Sequence, residues 1–362
     1  MGKNKKGLIT VVIPNYNGIK YIKECLRSLR AGTFVPSIIV VDNHSTDGSR
    51  ELIERDFPMV TLLKIGANTG FCHAVNAGLH ITKTRYVCLL NNDTKVDPRC
   101  IEELYTQIVQ DAGCFAVQAK MLSMKDPGVI DDAGDLYCAL GWAFARGKCA
   151  PAKRYAKPSQ IFSACAGAAM YRMAIFEKIG YFDERHYCYL EDVDICYRAA
   201  IYGYRSLYAP KAIVYHAGSA SSGAVHNPFK EEMTAGNNAY LLYKNMPAFQ
   251  YAINAPLILL GRKIKEEYFQ KKGLGDAYRR GLMRGEYLTA RAKDADWLSR
   301  RGYPHRKYSI PEEAAVEGTH GQLDKIYPIY LGGKVPFVPA HLPNYVRIQW
   351  RLWKNCIRRL TT

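Results

Sequence analysis

The chain has 362 residues, 48% hydrophobic and 23% charged, enough to bury a sizeable core in one large domain with an appendage or in two domains, and too apolar for a disordered chain. Fifty Lys and Arg stand against 33 Asp and Glu, a surplus of +17 whose natural partners are phosphates, nucleic acid or anionic lipid. About 21 basic and about 10 acidic residues fall in 251–362, so the last third carries most of the excess, and the nearly balanced remainder argues against a nucleic-acid-binding catalytic surface.

The charged start, Met1-Gly2-Lys3-Asn4-Lys5-Lys6, leads into a strand pattern and Pro14 rather than a signal-peptide apolar core. Residues 8–13 are a β-branched run, as in a strand buried on both faces, ending at Pro14-Asn15-Tyr16-Asn17-Gly18. Ile22, Cys25, Leu26 and Leu29 then share a helical face. Residues 38–41 form the next strand, ending in Asp42, and Asp47 and Ser49 are placed to cap a helix carrying Leu52 and Ile53. Residues 60–65, 71–79, 85–90 and 98–108 continue as strand, helix, strand, helix. This alternation predicts an α/β fold with a mainly parallel sheet and helices on both faces. Ligands of such folds sit beyond the carboxyl ends of the strands, and polar residues gather there: Asn15 and Tyr16, then Asp42, Asn68 and Asn91-Asn92-Asp93.

Residues 121–160, with Ile130-Asp131-Asp132-Ala133-Gly134-Asp135 and Trp142, predict a long functional loop; Trp142 is expected to pack rather than stack on a sugar. Residues 162–171 return as a small-residue strand. Tyr189-Leu190-Glu191-Asp192-Val193-Asp194 opens a helix marked by Val193, Cys196, Tyr197 and Ala200, and residues 205–216 form a last strand. Beyond Ser222 the pattern turns to helices and basic turns, so 1–222 is expected to be the catalytic domain and 223–362 a basic, mainly helical region. Near the end, Val346, Trp350, Trp353, Ile357 and Leu360 share one helical face and Arg347, Arg351, Lys354, Arg358 and Arg359 lie mostly on the other. Such a helix can lie flat on an anionic membrane or dock in a homodimer. No apolar stretch approaches the roughly 20 residues of a membrane span. The eleven cysteines lack a CxxC pair or zinc spacing and read as reduced core thiols. A cytoplasmic location is expected, peripheral to the inner face of the cell membrane.

One carboxylate and two amides at the end of a buried strand suit a metal-bound diphosphate, and a second acidic cluster can converge on the same crevice. Together they suggest sugar transfer from a nucleotide diphosphate. A dinucleotide oxidoreductase or P-loop phosphotransferase would need GxGxxG or GxxxxGK[ST], and a nucleotidyltransferase a Gly-rich basic loop after the first strand; none is present. A non-catalytic scaffold would not need Asp93 and Asp192.

The blocks Val12-Ile13-Pro14-Asn15-Tyr16-Asn17-Gly18, Val41-Asp42-Asn43-His44-Ser45-Thr46-Asp47-Gly48-Ser49, Asn68-Thr69-Gly70-Phe71, Leu90-Asn91-Asn92-Asp93-Thr94, Phe182-Asp183-Glu184 with Glu191-Asp192-Val193-Asp194, and Val214-Tyr215-His216 cover residues 8–220. In this order they resemble family 2 glycosyltransferases of the GT-A fold, especially bacterial rhamnosyltransferase-like members. The resemblance implies that Pro14, Asn15 and Tyr16 shape a base pocket with Tyr16 stacking, that Asp42 accepts the imide N–H, that Asn68 lines the pocket, and that Asn92 reaches the ribose. Asp93 would bind Mn²⁺ or Mg²⁺ with His216 completing the site, while Asn91 replaces the first Asp of the family's DXD signature. Asp192 would be the general base, kept ionised by its helix N-terminus, and Glu191 would orient the acceptor; Asp194 is read as a helix cap. By resemblance the donor is dTDP-rhamnose, with a UDP-hexose or UDP-galactofuranose as the alternative. The acceptor is a glycan or lipid-linked glycan.

Overall fold

The computed structural model describes residues 7–218, 226–300 and 331–361; the charged start at residues 1–6, the boundary expected near Ser222 and the side chain of Leu360 lie outside what it describes. The first half alternates β1 (Ile9–Asn15), α1 (Ile22–Arg30), β2 (Ser37–Asp42), α2 (Ser49–Asp56), β3 (Thr61–Lys64), α3 (Phe71–Ile81), β4 (Tyr86–Leu90), β5 (Thr94–Val96) and α4 (Cys100–Val109). Strands then dominate: β6 (Cys114–Ser123), β7 (Ile130–Asp132), β8 (Asp135–Cys138), β9 (Trp142–Ala145), β10 (Ser159–Ile161) and β11 (Ala168–Arg172). α5 (Met173–Ile179), α6 (Glu191–Ile201) and β12 (Arg205–His216) complete the sheet, and α7 (Pro228–Asn245), α8 (Ala248–Lys271), α9 (Gly275–Arg300) and α10 (Leu342–Thr361) follow.

β1 shows why the sheet is central. Its β-branched residues are buried on both sides: Ile9, Val11 and Ile13 pack with Ile22, Leu26, Ile53 and Leu104 of α1, α2 and α4, whereas Val12 packs with Val75 and Leu79 of α3 and Ile195 of α6. Opposite faces take alternate residues, as a strand's period of two requires. The strand order is β10-β12-β6-β11-β4-β1-β2-β3. The first four strands run parallel, β11 enters antiparallel between β4 and β6, and β12 runs parallel to β6.

Two pairings place the site. Asn15 and Asp42 end adjacent parallel strands side by side. β12 pairs with β5 so that His216 lies opposite Thr94, and the Ala217 N–H donates to the Asp93 carbonyl at 3.0 Å.

The segment expected as a long loop, 121–160, is instead broken up by short strands: it holds the end of β6, then β7, the β8–β9 hairpin and the start of β10. The C-terminal helices share a core with the catalytic half, because Leu241, Leu242, Ile258, Tyr345, Ile348 and Leu352 pack with Tyr137, Phe162, Val193 and Tyr197. No helix among the described residues is long and apolar enough to cross a membrane.

Candidate active site

At the ends of β1 and β2 the predicted polar residues form one knot. The Asn15 amide donates to Asp42 Oδ1 at 3.1 Å, Ser45 Oγ at 3.2 Å and Ser49 Oγ at 2.9 Å, and its oxygen accepts from Asn92 Nδ2 at 2.8 Å. Asp42 Oδ2 accepts from the Ser45 N–H at 3.0 Å and lies 3.5 Å from Arg50 Nε. Asp42 has no exposed surface. Both of its oxygens are engaged in ordering the loop. Asn92 is tied to Asn15 in the same knot. Asp47 behaves as expected of a cap, accepting from the Ser49 N–H at 3.0 Å.

Beside this knot, half-buried Pro14 leads to the exposed Tyr16. Tyr187 stands across from it, donating to Asn68 Oδ1 at 3.2 Å. The same Asn68 oxygen accepts from Asn43 Nδ2 and the Gly70 N–H, so Asn68 ties the 68–70 turn to the Tyr187 hydroxyl. The sequence pattern did not single out Tyr187.

The Asp93 and His216 side chains meet as predicted. His216 Nε2 lies 3.2 Å from Asp93 Oδ1, and His216 Nδ1 lies 2.7 Å from Asp131 Oδ2. Asp131 also pairs with Lys148. Burial favours a neutral His216, but the hydrogen bonds to Asp131 and Asp93 prevail and raise its pKa to about 9. Burial would raise Asp131, yet His216 and Lys148 hold it at about 2. This set fits a divalent ion. Neighbouring ligands of an octahedral ion with bonds near 2.1 Å stand about 3 Å apart, close to the observed Asp93 to His216 distance, and a carboxylate behind the second imidazole nitrogen is the usual support of a ligating histidine. Asp131 was visible in the sequence only as part of a loop. Lys230, on the first turn of α7, completes this corner, since Lys148 and Asp131 both act on its charge.

β7 links this centre to the second acidic cluster. Asp131 supports His216, while the next residue, Asp132, acts on Asp192. Burial first and Asp132 next lift the Asp192 carboxyl from 3.8 to about 6, against the pull of backbone N–H groups at Val193 and Ala166. The helix N-terminus therefore does not by itself set the charge of Asp192, as expected from the sequence; burial and a like charge outweigh it. Asp132, Asp135 and Cys165 offer atoms within 4.8 Å of one another. Burial, Asp132 and Asp192 push Asp135 well up, so this cluster favours shared protons over a cation.

Glu191 is buried, and its Oε2 has no hydrogen-bond partner among the described residues; burial and Asp192 push its carboxyl well up. One further expectation is corrected. Asp194 does not cap α6: it is fully buried and accepts from Lys244 Nζ at 2.9 Å, Arg198 Nη2 at 3.0 Å and Asn245 Nδ2 at 2.8 Å. Trp142 packs as expected, donating to the Gly261 carbonyl at 3.1 Å.

Residues 10–180 match the glycosyl transferase family 2. The match lies within the sheet-forming part of the chain and spans just under half of its length. An N-acetylglucosaminyl-diphospho-decaprenol L-rhamnosyltransferase of Mycobacterium tuberculosis (strain H37Rv) is 29% identical over 244 residues, 60% of this chain and 78% of that one. A low-salt glycan biosynthesis hexosyltransferase of Haloferax volcanii is 28% identical over 199 residues, 53% of this chain and 61% of that one. Among solved structures, GalNAc-T7 with UDP, GalNAc and Mn²⁺ superposes with a TM-score of 0.55 at 14% identity, covering 84% of this chain and 59% of that one. That likeness is one of fold, the GT-A fold. The strand ends thus carry an aspartate–histidine pair and an exposed tyrosine, and the start of α6 carries a carboxyl lifted to about 6.

Proposed function

We propose that this glycosyltransferase is inverting and dependent on Mn²⁺ or Mg²⁺, and that it moves L-rhamnose from a dTDP donor to a hydroxyl of a lipid-linked glycan in cell-surface polysaccharide synthesis. The observation that carries the reading is the bridge made by β7, where Asp131 supports His216 beside Asp93 and the charge of the next residue, Asp132, acts on Asp192. A diphosphate site and a base then share one crevice. The rhamnose and the lipid-linked acceptor rest on the name of the Mycobacterium tuberculosis relative.

Asp93 and His216 would hold the ion, which when bound neutralises charge on a departing nucleoside diphosphate. Tyr16 and Tyr187 flank the base. Lys148 and Lys230 add positive charge beside Asp131, where the diphosphate would leave. Asp192 takes the proton of the acceptor hydroxyl as its oxygen bonds to the anomeric carbon, while the bond from that carbon to the diphosphate oxygen breaks on the opposite side. A carboxyl titrating near the working pH suits that task. One base and one displacement invert the anomeric centre, with no carboxylate nucleophile as in retaining hydrolases. We also infer peripheral membrane association through α10, whose Val346, Trp350, Trp353 and Ile357 face outward, as in interfacial helices.

Turnover with dTDP-rhamnose, UDP-galactose and UDP-galactofuranose, each with Mn²⁺, Mg²⁺ or EDTA and an N-acetylglucosaminyl-diphospho-lipid acceptor, tests the assignment. Product only from dTDP-rhamnose and only with metal is expected. Faster transfer from a UDP sugar would replace the donor, and full activity in EDTA would remove the metal.

A further inference from the structure

α8 is built inside out. From Ala248 to Gly261 it carries no charged residue, yet both of its amide side chains are turned inward, beside Ile258. Gln250 and Asn254 are 1% and 0% exposed, whereas Ile253, Leu259 and Leu260 are 54%, 61% and 50% exposed. The inward amides are satisfied by protein: Gln250 Oε1 accepts from the Tyr197 hydroxyl at 3.1 Å, and Asn254 exchanges hydrogen bonds with Gln349 at 2.8 Å. Trp353 Nε1 donates to Asn254 Oδ1 at 3.2 Å. A helix on a water-facing surface shows the reverse pattern. Apolar residues turned outward over hydrogen-bonded amides cost free energy in water.

The neighbouring helix continues the surface. α10 presents Trp350, 72% exposed, and a groove of about 220 Å³ between the two helices is walled by Phe249, Ile253, Tyr345, Val346, Trp350 and Trp353. The charges nearest this face are mainly positive, with Glu266 and Glu267 following further along α8. α10 contains no acidic residue and carries exposed Arg347 and Lys354, and Lys263 follows the apolar half of α8.

We propose that the first half of α8 inserts beside α10 into the boundary layer of an anionic bilayer, the groove between them receiving a lipid chain. The inference deepens the membrane association read from α10, on which it rests, by adding a second inserted element. Charge complementarity selects the bilayer over a second copy of the chain: two copies meeting at this face would bring two sets of α10 cations together, whereas anionic headgroups neutralise them. Tryptophans beside cations match the headgroup level. Pro256, exposed within α8, cannot donate to the Ala252 carbonyl. That carbonyl needs water or a headgroup partner, which sets the depth at the interface and not in the hydrocarbon centre.

The test is flotation of the full-length protein with vesicles of phosphatidylcholine and phosphatidylglycerol, or of phosphatidylcholine alone, with light scattering of the free protein. Variants are Leu259→Asp/Leu260→Asp in α8, Trp350→Asp in α10 and Leu260→Phe as the conservative control; thermal melts confirm folding. Wild type and Leu260→Phe are expected to float with anionic vesicles. The α8 pair should partition at least about ten-fold less, as the loss of two buried leucines implies, and Trp350→Asp should also weaken binding. If only Trp350→Asp releases the protein, the α8 proposal falls and the α10 reading stands. If wild type floats with neither vesicle, both fall. A dimer in free solution that the α8 pair dissociates, without vesicle binding by wild type, would assign the face to a second copy.

Discussion

Asp192 owes its chemistry to its neighbours. Burial and Asp132 raise its pKa from 3.8 to about 6, so the ionised form is disfavoured in the folded protein. Transfer should therefore rise with pH through about 6 and level off above it, as measured by kcat/KM across pH 5–8. Asp192→Asn should cost on the order of 10²–10⁴ in kcat while nucleotide affinity changes little. The same substitution should stabilise the fold. With the folded pKa raised, the penalty is absent below the unfolded value, grows as pH rises and is complete above about 6. The variant should gain about 1–3 kcal/mol in urea melts at pH 7.5 and nothing near pH 3. Asp93→Ala should weaken nucleoside diphosphate binding in calorimetry with Mn²⁺ much more than binding of the nucleoside without metal. Equal losses in the two titrations would place Asp93 outside an ion site. Asp93, His216 and Asp192 were legible because each ends a strand or opens a helix, where local pattern fixes position. The burial of Asp42 and Glu191 was not, because burial depends on what folds over a residue: Asn15 and Ser45 close on one, and the other lies near enough to Cys72 and Cys188 to raise both thiols.

At the scale of elements, the β-α alternation through α4 could be read because each strand is β-branched and each helix has one apolar face. β6 escaped that reading. Its centre, Ala116-Val117-Gln118-Ala119, has little strand preference of its own, and its place between β11 and β12 is decided by distant residues. The β8–β9 hairpin is similar, since β8 packs against α10 near the other end of the chain. One turn element was marked more clearly. Gly70 adopts φ +87°, and a Cβ there would come within 2.4 Å of the Tyr187 ring. Gly70→Ala should cost about 1–3 kcal/mol and, by displacing Tyr187 from the base pocket, raise the Kd for a nucleoside diphosphate. A melt and a titration of the same variant check both effects.

Across the whole molecule, a buried ammonium joins the catalytic half to the C-terminal helices. Lys244 of α7 donates to Asp183 at 2.8 Å and to Asp194 at 2.9 Å, with all three side chains almost wholly buried. Burial would raise Asp194, but Lys244 and Arg198 hold it far below the usual carboxylate range. Lys244→Met leaves these two carboxylates without their shared partner and should cost roughly 3–5 kcal/mol in denaturant melts. The same lysine sets an order of events during synthesis. Asp183 and Asp194 leave the ribosome before it, and so does every strand of the described sheet; Arg185 and Arg198 are available to them early, yet the ammonium they share is missing until α7 has emerged. A nascent chain halted at the end of β12 should therefore remain sensitive to protease and bind chaperones, and protection should appear abruptly once the chain extends past Asn245.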